Sequence, residues 1–434
     1  FRSGPLHSPS SLEENAPPLL PTCLVNIEQA KSISRLQANP TAYLMYNLGM
    51  RVRMETRGGA QLSSEHSAIL EAADTVAHLL LEPRPPSEMP LAMQLGSKNL
   101  SLLAWSVSAL KEFDARAMSP PVQQMCYALA GRASQPGVVD SDKALHAKVA
   151  CRNIAGVLFG LSKAGVKCGD DGRVQGLFSF ALGQQFPDLL HNMESCNSQD
   201  VGNIGLACVY AEFKGNMGPF ISAVAGRLRG PSNVMYNAWP QAWSNLIYAC
   251  GKLVDLAGGK VKVLGKDVGV IVQEGAAAMA GAVDGPIHPS TQHLSNTLWG
   301  LAHFDWYNDD VLSKLAGAVA AADRVRSSKP QDMANNLWAL YNLGWYEHAV
   351  YDALLQGLVD NHQQPDPQHF SNALLSCARA SHSGAALDAL ADAVSKRSLS
   401  GWASQAMSNT LYSWSVLSLL GRASPELNAM ASVQ

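Results

Sequence analysis

A motif of the form Gln-x-x-(Gly/Ala/Ser)-Asn recurs six times in the second half of the chain and constrains its fold more than any other feature. The copies begin QDVGNIGLACVYAE at Gln199, QAWSNLIYACGKLV at Gln241, QHLSNTLWGLAHFD at Gln292, QDMANNLWALYNLG at Gln331, QHFSNALLSCARAS at Gln368 and QAMSNTLYSWSVLS at Gln405. Their anchor residues Asn203, Asn245, Asn296, Asn335, Asn372 and Asn409 are separated by 42, 51, 39, 37 and 37 residues. A tandem unit of about 38 residues points to a solenoid, because one such unit cannot bury its apolar face alone and must stack on its neighbours.

Each unit reads as two helices. Pro240, Pro330 and Pro367 stand directly before a motif Gln, where proline suits a first helical turn. With the Asn as zero, positions −2, +2 and +5 are apolar or small, as in Phe370, Leu374 and Cys377, then Met407, Leu411 and Trp414. Those offsets fall within about 60° on a helix and form one buried stripe. Positions −1 and +4 are always Gly, Ala or Ser, which lets a neighbouring helix approach closely. A second helix follows at 311–325, 350–361 and 386–396. The expected fold is therefore all-α, an α-solenoid of stacked helix-turn-helix repeats of about 38 residues, with strands nearly absent. Only VKVLGKDVGVIV (261–272) could be a strand, and it also reads as a loop followed by a helix.

Upstream copies are degenerate. VLFGLSKAG (157–165) aligns with Gly156 in the Asn slot, LLAWSVSAL (102–110) aligns on LYSWSVLSL (411–419), and YNLG at 46–49 echoes 341–344. The chain divides into an extended Pro/Ser-rich arm at 1–34, degenerate repeats at 35–198 and regular repeats at 199–434. An ordered low-complexity arm suggests a large assembly. The first residue, Phe1, suits a processed or a truncated product: removal of a transit peptide would leave such an end, and so would truncation.

Composition sets limits on partners. Charged residues are only 15% of the chain and the net charge is −3, which is not the balance of a strongly basic nucleic-acid binder. No run of eighteen apolar residues occurs, so no membrane partner is expected. The eight cysteines show no C-x-x-C spacing and none is followed by a His at zinc-ligand spacing. The expectation is buried, reduced thiols with neither a disulfide framework nor a metal. No phosphate-cradling loop, G-x-S-x-G or H-E-x-x-H is present, and Ser108-x-x-Lys111 is a match of the kind expected by accident. No catalysis, cofactor or small-molecule substrate is indicated.

The Q-x-x-[GAS]-N-x-[LI]-[WYL]-[GAS] signature at this period resembles the octotricopeptide-repeat family, covering Gln199 to the end well and 95–198 loosely. The resemblance implies organellar proteins, mostly of green algae, that bind RNA and control its maturation, stability or translation, some of them structural subunits of organellar ribosomes. Many members end in a small nuclease-like domain, but only fourteen residues follow Leu420, so none is expected here. The reading is a non-catalytic RNA-binding subunit of an organellar ribosome or other ribonucleoprotein, with the mitochondrion preferred over the chloroplast. Its partners would be RNA, ribosomal RNA first, and neighbouring proteins. The alternatives are a sequence-specific maturation or translation factor and a protein–protein scaffold. The uneven spacings disfavour the former, since they would spoil a one-base-per-repeat register.

Within a repeat, the amides Gln199/Asn203, Gln241/Asn245, Gln292/Asn296, Gln331/Asn335, Gln368/Asn372 and Gln405/Asn409 lie at i and i+4 on one face. A residue identical in every unit cannot distinguish bases, so these are read as structural, bonding the adjacent repeat's backbone. The variable pair at −3 and +1 is the candidate for base reading, above all His293/Thr297, Asp332/Asn336 and His369 with Ala373. The aromatics Tyr248, Trp299, Trp338 and Tyr412 recur at +3 and are read as inter-repeat packing, with base stacking as the alternative. Lys252, Lys260, Lys262 and Lys266, backed by Arg324, Arg326 and Lys329, are the candidates for phosphate contact.

Overall fold

A computed structural model describes residues 19–33, 36–58, 62, 64–84, 87–135, 138, 147–185, 196–229, 238–259, 264–361, 366–397 and 401–419. The chain forms two compact units, Phe1–Ala223 and Val224–Gln434. In the first, α1 (Leu20–Ala30), α3 (His66–Leu81), α5 (Pro120–Ala133) and α7 (Gly172–Phe180) form one row. The row that carries the anchor slots, and is therefore the first row of this unit, is α2 (Ala38–Arg57), α4 (Ser97–Phe113), α6 (Ala147–Lys163) and α8 (Ser198–Tyr210). Helix α9 (Gly218–Arg229) crosses the boundary between the units.

The second unit repeats the plan. Its first row is α10 (Pro240–Leu256), α12 (Thr291–Ala302), α15 (Pro330–Asn342), α17 (Pro367–Ala380) and α19 (Ser404–Leu419). Its second row is α11 (Val268–Val283), α13 (Asp309–Ala320), α16 (His348–Asp360) and α18 (Ala385–Ser395). The short α14 (Ala322–Ser327) packs on α13 and α16. Each unit is thus an all-α solenoid of helical hairpins. Among the described residues the only strands are a short antiparallel pair, Pro83–Arg84 with Ser87–Pro90. Of the stretch 261–272, residues 261–263 lie outside the described residues and the helix begins at Val268.

Local chemistry explains where the first-row helices begin. Helices α10, α15 and α17 start at Pro240, Pro330 and Pro367. Their stripe is buried as expected, with Phe370, Leu374 and Cys377 all at most 1% exposed. Small residues at +4 permit the close helix approach. A Cβ on Gly300 would stand 2.7 Å from the Ile247 carbonyl oxygen, and one on Gly160 2.7 Å from that of Ala104.

A recurring cap closes five of the anchor-bearing helices. Nine residues after the anchor slot, Gly165, Glu212, Asp305, Gly344 and Ser381 adopt left-handed φ of 95°, 50°, 48°, 70° and 54°. The next residue then turns its N–H back five positions: Val166 to Leu161, Phe213 to Cys208, Trp306 to Leu301, Trp345 to Leu340 and His382 to Cys377, at 2.9–3.4 Å. This is the Schellman arrangement, which satisfies the last helical carbonyls. Its appearance after Gly156 supports the register assigned to that degenerate copy.

Four expectations need correction. The arm assigned to 1–34 contains α1, whose Leu20, Cys23, Ile27 and Ala30 are buried against α2 and α3. Pro21 lies in its first turn, where proline is compatible with a helix; residues 1–18 and 34 lie outside the described residues. The alignment of 102–110 on 411–419 is two residues out. Ala104 meets Gly160 as Ile247 meets Gly300, which puts Leu102 in the anchor slot and Trp105 at +3. The YNLG echo is not an equivalence, since Gly49 is inside α2 whereas Gly344 is a left-handed cap. Finally, the thiols are not all reduced: Cys151 on α6 is bridged to Cys196 just before α8, Cα to Cα 5.5 Å. Adjacent repeats bring these two together across 45 residues, a proximity that linear spacing does not reveal. The other six cysteines are buried thiols outside this bridge.

Candidate nucleic-acid interface

On the first-row helices, positions −4, 0, +3 and +7 fall within about 60° of one another. They form one outward stripe. In the second unit it reads Gln292, Asn296, Trp299, His303 on α12; Gln331, Asn335, Trp338, Asn342 on α15; and Gln368, Asn372, Leu375, Arg379 on α17. Helices α10 and α19 continue it with Gln241, Asn245, Tyr248, Lys252 and with Gln405, Asn409, Tyr412, Val416.

The glutamines at 199, 292, 331, 368 and 405 are exposed and the asparagines at 203, 296, 335, 372 and 409 are half-buried. Gln241 is half-buried and Asn245 buried. The expectation that these amides bond the neighbouring repeat fails. Among the described residues none of their side chains makes a hydrogen bond.

The +3 aromatics do pack between repeats. Tyr248 and Trp299 centroids lie 5.1 Å apart, and Trp299 and Trp338 are stacked at 6.1 Å. His303 sits between the two tryptophans, 4.0 Å from Trp299 and 5.3 Å from Trp338. Burial there lowers its pKa, with Lys252 also opposing its protonation. Cations approach the rings from +7. Lys252 Nζ lies 5.3 Å from the Trp299 centroid, and Arg379 lies 5.6 Å from Tyr341 and 6.0 Å from Tyr412. The rings remain half-buried, and Tyr412 is exposed.

The proposed base-reading pairs take other roles. Position −3 is the third residue of each helix. His293 forms a capping box with Ser290, and His369 one with Asp366. The carboxylate of Asp332 accepts the Lys329 backbone N–H, while burial pushes its pKa up. Burial also lowers the pKa of His293. Position +1 faces inward: Thr297, Asn336 and Ala373 are at most 1% exposed, and Thr297 Oγ1 donates to the His293 carbonyl at 2.8 Å. Capping and burial withdraw these side chains from a reading surface.

The basic candidates divide. Lys252 lies on the stripe and pairs with Asp255 at 2.6 Å. Lys266 is exposed at the start of the α11 hairpin, and Lys260 and Lys262 lie outside the described residues. Arg324 and Arg326 belong to α14, whereas Lys329 is the N-cap residue of α15, two residues before Gln331. Linear reading missed the +7 column, although Lys252, His303, Asn342 and Arg379 stand four residues after the +3 slot.

No family model matches the chain, and no curated protein matches it. Among solved structures it is similar to the crystal structure of an engineered protein, with 17% identity over 89% of this chain and 97% of that one and a TM-score of 0.20. The fold description rests on the helix packing itself.

Proposed function

We propose that the chain is a non-catalytic, RNA-associated helical-repeat protein of an organelle, with the role of a structural subunit in a mitochondrial ribosome or similar ribonucleoprotein. The observation that carries this reading is the recurrence of outward amides without intramolecular partners on successive first-row helices. An amide ladder repeated without variation suits contact that does not depend on base identity. Its N–H groups donate to phosphate or ribose oxygens and its carbonyls accept from 2′-hydroxyls. The neighbouring ring edges offer apolar contact to bases, with Lys252 and Arg379 placed for phosphate. The octotricopeptide-like signature supports the organellar setting.

The sequence-specific alternative loses support, because its variable pairs are engaged in caps or buried. A second reading, a protein–protein scaffold, is favoured by the sparseness of cations on the stripe. RNA affinity separates the two. With two to four phosphate contacts to single-stranded RNA, binding falls by about 5–50-fold between roughly 50 and 200 mM salt. A flat salt response favours the scaffold.

A further inference from the structure

The cap shared by five anchor-bearing helices places a large apolar residue next, Phe213, Trp306 and Trp345 in three repeats. In the repeat built on Asn372 the same slot holds His382, 0% exposed. One repeat earlier, the Trp345 indole N–H donates to Ser313 Oγ on the second-row helix, at 3.3 Å. The residue equivalent to Ser313, seventeen after the anchor, is Asp352. One turn before Asp352, at the start of α16, stands His348. The solenoid does not require these three side chains, since the preceding repeat closes the same contact with Trp and Ser.

The ligand atoms of His348, Asp352 and His382 all lie within 4.8 Å of one another. His348 Nδ1 is 3.0 Å from Asp352 Oδ2, and His382 Nε2 is 3.2 Å from Asp352 Oδ1. Oδ1 is shielded from solvent yet accepts no hydrogen bond of good geometry. The far side of each ring is anchored. His348 Nε2 is 2.8 Å from the Ser383 carbonyl, which only accepts, so that nitrogen carries the proton. A neutral His348 therefore turns its Nδ1 lone pair toward the carboxylate. His382 Nδ1 is 3.1 Å from the Tyr346 hydroxyl, a contact of the kind that fixes metal-binding imidazoles. That lone pair and the carboxylate repel unless a cation or an added proton lies between them. Neighbouring ligand atoms about 2.0 Å from a tetrahedral ion stand about 3.3 Å apart, close to the 3.0 and 3.2 Å between each imidazole nitrogen and its facing carboxylate oxygen. Gly384, at φ 152°, leaves room beside the site: a Cβ there would lie 3.4 Å from Asp352 Oδ1 and from His348 Cε1.

We propose that His348 Nδ1, His382 Nε2 and the Asp352 carboxylate bind one divalent transition-metal ion of zinc-like preference. Two imidazoles and a carboxylate suit such an ion better than calcium or magnesium. His348 and Asp352 are partly exposed, with side chains 56% and 38% accessible, so water completes the coordination. The ion ties α16 to the turn between α17 and α18, clamping consecutive repeats. The site departs from the metal-free expectation because its ligands come from two repeats. It does not depend on the RNA reading.

The test uses the full chain, stripped with chelator, loaded with Zn2+ or Co2+, and freed of excess metal by gel filtration. The expected result is about one ion per chain, visible absorption from low-coordinate Co2+ and a zinc-dependent rise in Tm. The variant Asp352→Ser/His382→Trp installs the preceding repeat's pair and keeps the contact closed. It should retain no ion and show no zinc-dependent shift. His348→Ala should weaken binding at least tenfold. Absence of bound metal in the wild type overturns the proposal and leaves a protonated His bridging to Asp352. Equal loading of the wild type and the double variant overturns it as well.

Discussion

Asp200 shows what one buried side chain costs. It is the third residue of α8, locked in a capping box with Asn197, and 6% exposed. Burial pushes its pKa up from 3.8 to about 6, with the Asn197 N–H and Arg152 opposing the rise. Below about pH 4 the carboxyl is protonated in both folded and unfolded states and no penalty arises. As pH rises from about 4 to 6 the unfolded chain ionises first, and stability falls by up to about 3 kcal/mol. Asp200→Asn should flatten that loss, measured as thermal midpoints between pH 4 and 7. The amide ladder makes an opposite prediction. Asn335 has no hydrogen bond to lose, so Asn335→Ala should change stability by less than about 0.5 kcal/mol. A cost of about 1–3 kcal/mol would mean a bonded, structural amide after all.

At the scale of the element, helix starts and stripes were legible because their signals are local. Apolar or small residues at −2, +2 and +5 are visible in every copy, and proline stands before the motif Gln in three of them. The left-handed cap was also present in the sequence, as Gly at 165 and 344, but Glu212, Asp305 and Ser381 occupy the same conformation and obscured it. Helix α1 was missed because its flanking prolines outweighed the Leu20, Cys23, Ile27, Ala30 spacing. The cap can be tested directly. Gly344→Ala should cost about 1 kcal/mol and Asp305→Gly should return a similar amount, because only glycine adopts this φ without steric cost. Chemical denaturation of both variants checks the pair. Gly300 tests the helix approach. Gly300→Leu should destabilise by about 1–3 kcal/mol or more, since its side chain meets Ile247 backbone.

For the whole molecule, the solenoid class followed from repetition, whereas contacts between repeats did not. The Cys151–Cys196 bridge and the His348, Asp352, His382 cluster each join residues whose proximity depends on how neighbouring repeats stack. The candidate reading positions failed for the same reason: periodicity placed −3 and +1 on a flank, but only packing showed them capping and buried. The bridge closes a loop of 45 residues, so Cys151→Ser should lower the stability of the first unit by about 2–4 kcal/mol under oxidising conditions and not under reducing ones. The low charge remains consistent with RNA contact if affinity comes from placed amides, a few cations and adjoining proteins. The central claim is that the amide stripe of the second unit contacts RNA. The direct test is the affinity of the full chain for single-stranded RNA at 50 and 200 mM salt, compared with a variant carrying alanine at Gln292, Asn296, Gln331, Asn335, Gln368 and Asn372. The expected result is wild-type binding that falls about 5–50-fold across that range, and a variant at least tenfold weaker with an unchanged Tm. Equal binding by the two proteins, or no binding by the wild type at low salt, would contradict it.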